Sequence, residues 1–235
     1  MANDYFRFKH FTIHQGLCAM KVGTDGTLLG AWAAVPNGVG QGSAAILDIG
    51  TGTGLIALMM AQRCPQAQVV GIDIDADAVA QARANVAESP FASRVTIVQG
   101  DVVQPAVLAA RRFATIVCNP PFFEGALLCP DNRRTVARHA VSLSFAQLMD
   151  RARQLLADDG ELSVVVPAEA LPRLDSEAAL AGLFKVRQCS VLTSLRKPPR
   201  RYLVAFRLHP AEMEISELAI GSERHRVLME DFSVK

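Results

Sequence analysis

The sequence predicts an α/β fold: a seven-stranded, mostly parallel sheet with its last strand antiparallel, preceded by a short N-terminal extension. Three observations lead there. From Ala45 onward, short β-branched runs alternate with stretches of helical periodicity, the pattern of parallel strands joined by crossover helices. A glycine-rich turn stands where the first of those strands gives way to a helix. The last two strand-like runs are joined by a basic, proline-bearing connection whose length suits a hairpin better than a crossover, so one strand must reverse.

The extension, residues 1–42, contains an aromatic half-strand and a short helix begun by Thr24 or Asp25, and is too short to fold alone. It is followed by a single structural domain over residues 43–235. Strands are expected at 45–49, 68–73, 95–99, 113–118, 161–166, 185–193 and 202–208. Helices fit between them at 55–63, 76–87, a short one near 105–110, 145–156, and 169–183, with Pro172 disturbing the first turn of the last. Ser144 and Gln147 have the spacing of a capping box at the start of the fourth.

Half of the 235 residues are apolar, yet no apolar run approaches the roughly 20 residues of a membrane span. The N-terminus mixes aromatics with Arg7 and Lys9 and lacks the apolar core of a secretory signal, so a cytoplasmic protein, a monomer by default, is expected. Cys18, Cys64, Cys118, Cys129 and Cys189 are odd in number and widely spaced, without a Cys-x-x-Cys pair or clustered histidines. Reduced, mostly buried thiols and no metal site follow.

A net charge of +1 excludes a polycation that coats nucleic acid indiscriminately. The cations are nonetheless grouped. No acid falls between Glu177 and Glu212, where Lys185, Arg187, Arg196, Lys197, Arg200, Arg201 and Arg207 all lie, and a second tract holds Arg133, Arg134, Arg138 and His139. Arg133, Arg134, Arg138, Arg196, Lys197, Arg200 and Arg201 are the candidate RNA-binding residues, although charge alone fits two solvated loops equally well.

The chemistry begins at Ile46-Leu-Asp48-Ile-Gly50-Thr-Gly52-Thr-Gly54. Glycines at a strand-to-helix turn let the backbone bend sharply and approach a ligand where a Cβ would intrude. A dinucleotide loop wants G-x-G-x-x-G, and counting from Gly50 the third glycine is replaced by Leu55. About 20 residues on, the next strand ends at Asp73, where a carboxylate can accept both hydroxyls of a ribose. Asp75 and Asp77 fit a helix N-cap and first-turn acids better than ligand contacts. Asp101 closes the following strand.

The fourth strand ends in Cys118-Asn119-Pro120-Pro121-Phe122. An exocyclic amine on an aromatic base is a poor nucleophile because its lone pair is delocalised. The Asn119 side-chain carbonyl and the Pro120 backbone carbonyl can each accept one N–H and localise that pair. Pro120 and Pro121 stiffen the acceptors, and Phe122 offers a face for the base, worth about 1–3 kcal/mol at comparable stacking sites.

Together the glycine loop, Asp73, Asp101 and Asn119–Phe122 resemble the Rossmann-like class I S-adenosylmethionine-dependent amino-methyltransferases with an N-P-P-[YF] motif. That class includes DNA adenine, rRNA guanine and protein glutamine methylators, so this motif does not choose a substrate. Phe8-Lys9-His10-Phe11-Thr12-Ile13-His14-Gln15, the run from Cys18 through Lys21, Gly23, Asp25 and Gly30 to Trp32, Arg138-His139, and Lys197-Pro-Pro-Arg200-Arg201 do more. Over nearly the whole chain they are similar to the bacterial tRNA(Val) (adenine-37-N6)-methyltransferase family.

The resemblance implies a cofactor, S-adenosylmethionine, held by Asp48, Gly50, Gly52, Gly54, Asp73, Asp101 and Asn119. It also implies that Lys21, Thr24 and Asp25 close the pocket from above as a lid. The catalytic set becomes Asn119, Pro120, Pro121 and Phe122, and the partner a tRNA anticodon stem-loop. Gly16-Leu17 departs from the acid and arginine common in that family. Competing readings are another exocyclic amine in rRNA or DNA, a protein glutamine, a non-catalytic cofactor- or RNA-binding module, and a nicotinamide oxidoreductase.

Overall fold

The structure is a computed structural model that describes residues 4–18, 20–36, 45–120, 143–194 and 197–233. The chain opens with an antiparallel pair, β1 (Tyr5–Arg7) and β2 (Thr12–His14), then α1 (Thr24–Trp32). The alternating core follows: β3 (Ala45–Ile49), α2 (Leu55–Arg63), β4 (Gln68–Asp73), α3 (Ala76–Ala87), β5 (Val95–Gln99) and β6 (Phe113–Cys118). The C-terminal part comprises α4 (Phe145–Leu155), β7 (Leu156–Pro167), α5 (Leu171–Leu180), β8 (Phe184–Leu192), β9 (Arg201–Arg207), β10 (Glu214–Ala219) and α6 (Glu223–Met229).

The central sheet runs β10-β8-β9-β7-β6-β3-β4-β5. The seven expected strands are present, and the seventh, β9, lies antiparallel to both β7 and β8. Beyond it the chain adds an eighth strand that sequence reasoning missed, β10, parallel to β8, so the antiparallel strand is not the last. The expected short helix near 105–110 is a series of turns, with Leu108 and Ala110 at φ 62° and 59°. The helix expected over 169–183 begins as a 3-10 turn at Ala168–Ala170, with Pro172 in the first turn of α5, where a missing N–H costs nothing. The capping box forms as expected: Ser144 Oγ accepts from Gln147 N, and Gln147 Oε1 accepts from Ser144 N.

Two apolar layers sandwich the sheet. On one face, α1, α2 and α3 pack with Phe8, Phe11 and Ile13 of the N-terminal pair; on the other lie α4 and α5. The extension is therefore part of the core. Its helix is fastened twice at the C-terminal end: Arg63 of α2 donates to the Gly30 and Ala33 carbonyls, and the Arg187 guanidinium lies 4.0 Å over the Trp32 ring. Cys18, Cys64, Cys118 and Cys189 are buried free thiols.

Successive strands β3, β4 and β5 step to one side, whereas β6 and β7 lie on the other side of β3. That reversal is a topological switch point, where the loops leaving neighbouring strands diverge and leave a crevice. Asp48 is level with Gly71 on β4 and Val117 on β6, so the ends of β3, β4 and β6 stand in register along one sheet edge.

Candidate active site

The glycine loop leaves β3 with Gly50, Gly52 and Gly54 at φ 69°, 53° and 81°, a left-handed run that side-chain-bearing residues adopt only with strain. Its amides are tied to the next strand. Gly50 N and Thr51 N both donate to the Ile72 carbonyl, at 2.9 and 3.0 Å, and Gly52 N donates to Asp73 Oδ2 at 2.8 Å. Among the described residues, no atom lies within 4 Å of where a Cβ on Gly50 would stand, so that side of the loop opens on free space.

Asp48 supports the loop from beneath. It is fully buried, and its Oδ2 accepts from Thr51 Oγ1 at 2.6 Å and from Ala57 N, in the first turn of α2, at 3.1 Å. Its Oδ1 is buried with no hydrogen-bond partner among the described residues. Burial pushes this carboxyl up to about 7, with the charge of Asp73 adding and the Thr51 and Ala57 hydrogen bonds opposing.

Asp73 has both oxygens engaged by backbone, Oδ2 by Gly52 N and Oδ1 by Asp75 N at 3.0 Å. A carboxylate has about four lone-pair sites, so acceptor capacity remains on each oxygen. Asp75 caps α3 through Asp77 N at 2.9 Å, the structural role expected of it. Gly100 N donates to the Asp73 carbonyl, which sets the turn that holds Asp101, and Asp101 Oδ1 accepts from Val103 N at 2.9 Å.

Asn119 and Pro120 follow β6 beside this loop, Asn119 partly exposed and Pro120 buried. Across from Asn119 stands α1: a Cβ on Gly26 would come 3.9 Å from Asn119 Nδ2 and 3.4 Å from Leu55. Asp25 is paired with Arg201, whose Nε donates to Asp25 Oδ2 at 2.8 Å. Lys21 donates to the Gln15 carbonyl, and Thr24 is exposed in the first turn of α1. Lys197 and Arg200 have exposed side chains. Pro121, Phe122, Arg133, Arg134, Arg138 and Arg196 lie outside the described residues.

Cys18 and residues 20–26 lie along this edge. Burial pushes the Cys18 thiol up to about 11, with the charges of Asp73 and Asp75 adding and that of Lys21 opposing. Eight residues later Gly26 faces Asn119. Sequence reasoning missed the residues that hold this strap. Gln15 Oε1 accepts from Val22 N at 2.7 Å, Gln81 Oε1 from Leu17 N at 3.2 Å, and Asn85 bonds His14 and Thr53. One signal was available: an asparagine within a helical run favours non-helical hydrogen bonds and needs a reason to be there.

Comparison with known proteins shows the family and the fold. The family model for the methyltransferase small domain matches residues 35–194. A Bacteroides thetaiotaomicron protein named tRNA1(Val) (adenine(37)-N6)-methyltransferase is 42% identical over 227 residues, covering 96% of this chain and 93% of its own length. A Porphyromonas gingivalis protein of the same name is 47% identical over 218 residues, covering 92% and 84%. Among solved structures, an Agrobacterium tumefaciens protein described as a predicted O-methyltransferase superposes with a TM-score of 0.64 at 18% identity, covering 85% of this chain and 90% of its own. A ribosomal protein L11 methylase from Lactobacillus delbrueckii gives 0.54 at 16%, covering 84% of each. The shared fold and the extent of these matches show that the chain is a methyltransferase of the methyltransferase small domain family, and that it belongs with the tRNA1(Val) (adenine(37)-N6)-methyltransferases.

Proposed function

We propose that the protein transfers a methyl group from S-adenosylmethionine to N6 of adenosine 37 in a tRNA(Val). The observation that carries this reading is the placement of Asn119 and Pro120 at the end of β6, directly beside the glycine loop of β3. Among the described residues, the loop fits such a cofactor: open space over Gly50, an unpartnered buried oxygen on Asp48 beneath, and spare acceptor sites on Asp73 for hydroxyl donors. When bound, the cofactor supplies a methyl group on a positively charged sulfur, an excellent leaving group.

The protein's own contribution is orientation and polarisation. The Asn119 side-chain carbonyl and the Pro120 carbonyl accept the two N–H groups of the amine, drawing its nitrogen toward tetrahedral geometry. No strong general base is needed while the methyl moves, and alignment of the reacting atoms supplies much of the rate. Asp101 holds the adenine end of the cofactor, and the strap from Lys21 to Asp25 excludes water from above. An anticodon-loop adenine is already unpaired, so presenting it avoids the cost, about a few kcal/mol, of opening a duplex. Lys197 and Arg200 contact phosphates of the stem with their exposed side chains.

The test is Asn119→Ala assayed on unmodified tRNA(Val). The expected result is near-normal binding of S-adenosylhomocysteine with loss of N6-methyladenosine by nucleoside mass spectrometry. Wild-type turnover in that variant removes the mechanism; turnover on rRNA, DNA or a glutamine-bearing protein but not on tRNA removes the substrate.

A further inference from the structure

Asn85 is fully buried in the last turn of α3, and its amide reaches the backbone of two other segments. Its Oδ1 accepts from His14 N at 2.9 Å, while its Nδ2 donates to the His14 carbonyl and to the Thr53 carbonyl, each at 2.8 Å. One donor and two acceptors around the amide fix its orientation, because a flipped amide would set N–H against N–H and oxygen against two carbonyls. Thr53 lies inside the glycine loop, and His14 ends β2.

The same face of α3 repeats the arrangement one turn earlier. Gln81, also buried, accepts from Leu17 N, and a Cβ on Gly54 would come 3.4 Å from the Ala82 Cβ. A helix does not need a buried asparagine to form, and a buried amide without partners costs more than an alanine in its place. The side chain is satisfied only when both the N-terminal strand and the glycine loop are seated.

We propose that Asn85 is a positioning residue that couples the N-terminal strap to the glycine loop. It rests on the reading of that loop as the cofactor seat. Loss of order in either segment leaves the other facing a half-satisfied amide, so each stabilises the other by the same amount. Filling the loop therefore firms residues 12–18, and with them the strap that runs on to Gly26 beside Asn119. Cofactor binding prepares the rim that receives the acceptor base.

The experiment is hydrogen exchange of the intact protein with and without S-adenosylhomocysteine, joined to steady-state kinetics of Asn85→Ala. In wild type, the ligand slows exchange in residues 50–54 and in 12–18 together. In Asn85→Ala, protection of 50–54 no longer extends to 12–18, and KM for S-adenosylmethionine rises about tenfold while kcat at saturation stays within about threefold. A merely structural asparagine would lower stability without separating KM from kcat. Protection confined to 50–54 in wild type overturns the coupling and leaves the loop reading intact. Joint protection and an unchanged KM in Asn85→Ala overturn the role of Asn85. Protection of neither segment, with Gly52→Val binding the ligand as wild type does, overturns the loop reading and the coupling with it. If Asn85→Ala does not fold, the wild-type measurement still tests the coupling, and Asn85→Asp, which keeps the acceptor oxygen and loses the Nδ2 donor to Thr53, takes its place in the kinetics.

Discussion

Arg201 Nε donates to Asp25 Oδ2 at 2.8 Å, so the first residue of β9 is tied to the first turn of α1 across 176 residues of chain. Both side chains are about a third exposed, which limits the pair's contribution to stability to about 0.2–1 kcal/mol. Its effect is on position, because Gly26, next to Asp25, is the residue that faces Asn119. Arg201→Ala is expected to lower kcat/KM for tRNA by about tenfold with little change in Tm, the scale on which small misplacements act. The exchanged pair Asp25→Arg with Arg201→Asp should recover part of that loss. Arg200, whose side chain is exposed, behaves differently: Arg200→Ala should reduce the slope of log affinity against log salt by about 1. A slope reduced as much by Arg201→Ala would show that the ion pair opens to meet phosphate.

Asp48 makes stability depend on pH. Its folded value, about 7, lies above the ordinary 3.8, so the folded protein holds a proton there that the unfolded chain has released. The stability this group contributes is complete below about pH 3.8 and is lost as pH rises through about 7. An asparagine side chain cannot ionise, so the Tm of Asp48→Asn relative to wild type should improve steadily from about pH 5 to about pH 7. A difference that stays flat over that range shows that Asp48 is ionised throughout.

The strands around the site were legible because they are short, continuous buried runs: Ile46 to Ile49, Val69 to Ile72 and Thr115 to Cys118 are buried without interruption. β10 was not, since Glu214 and Glu217 interrupt it and Leu218 is its one buried residue, the charged character of a sheet edge. The turns at 105–110 depend on a distant partner. Arg151 of α4 donates to the Val102 carbonyl at 2.7 Å and the Val107 carbonyl at 2.6 Å, satisfying carbonyls that the turns leave open. The glycine loop and Asn119 could be read because their chemistry is local. The pairs Asn85 with His14 and Arg201 with Asp25 join residues 71 and 176 positions apart, and nothing in either neighbourhood names the partner.

Glu161 is the charge on which the lower edge of the sheet depends. It is 3% exposed at its side chain, with Oε1 accepting from Arg187 and Oε2 from Arg207. Arg187 also covers the Trp32 ring, so this carboxylate anchors the end of α1 as well as β8 and β9. Removing one member of a buried ion pair leaves an uncompensated charge, and Glu161→Ala should cost about 3–5 kcal/mol in urea unfolding. Arg207→Ala should cost less, because its side chain is 40% exposed. Equal losses in the two variants would mean that Arg187 alone cannot compensate Glu161, which stays buried when Arg207 is removed.

Gly30 sets how closely α1 approaches α2. A Cβ there would stand 2.7 Å from Met59 Sδ and 3.0 Å from Met59 Cβ. The sulfur can swing aside, but the Cβ moves only with α2, so Gly30→Ala must push the helices apart by several tenths of an ångström. Overpacking of this kind costs about 1–3 kcal/mol. One turn up the same helix is Gly26, so the displacement reaches the Asn119 contact, and kcat should fall even at temperatures where the variant is fully folded. Gly16→Ala is the matched control: no described atom lies within 4 Å of its Cβ position, and stability should change by less than about 0.5 kcal/mol. A Gly30→Ala enzyme with wild-type kcat would show that α1 can slide on α2 without moving the rim of the site.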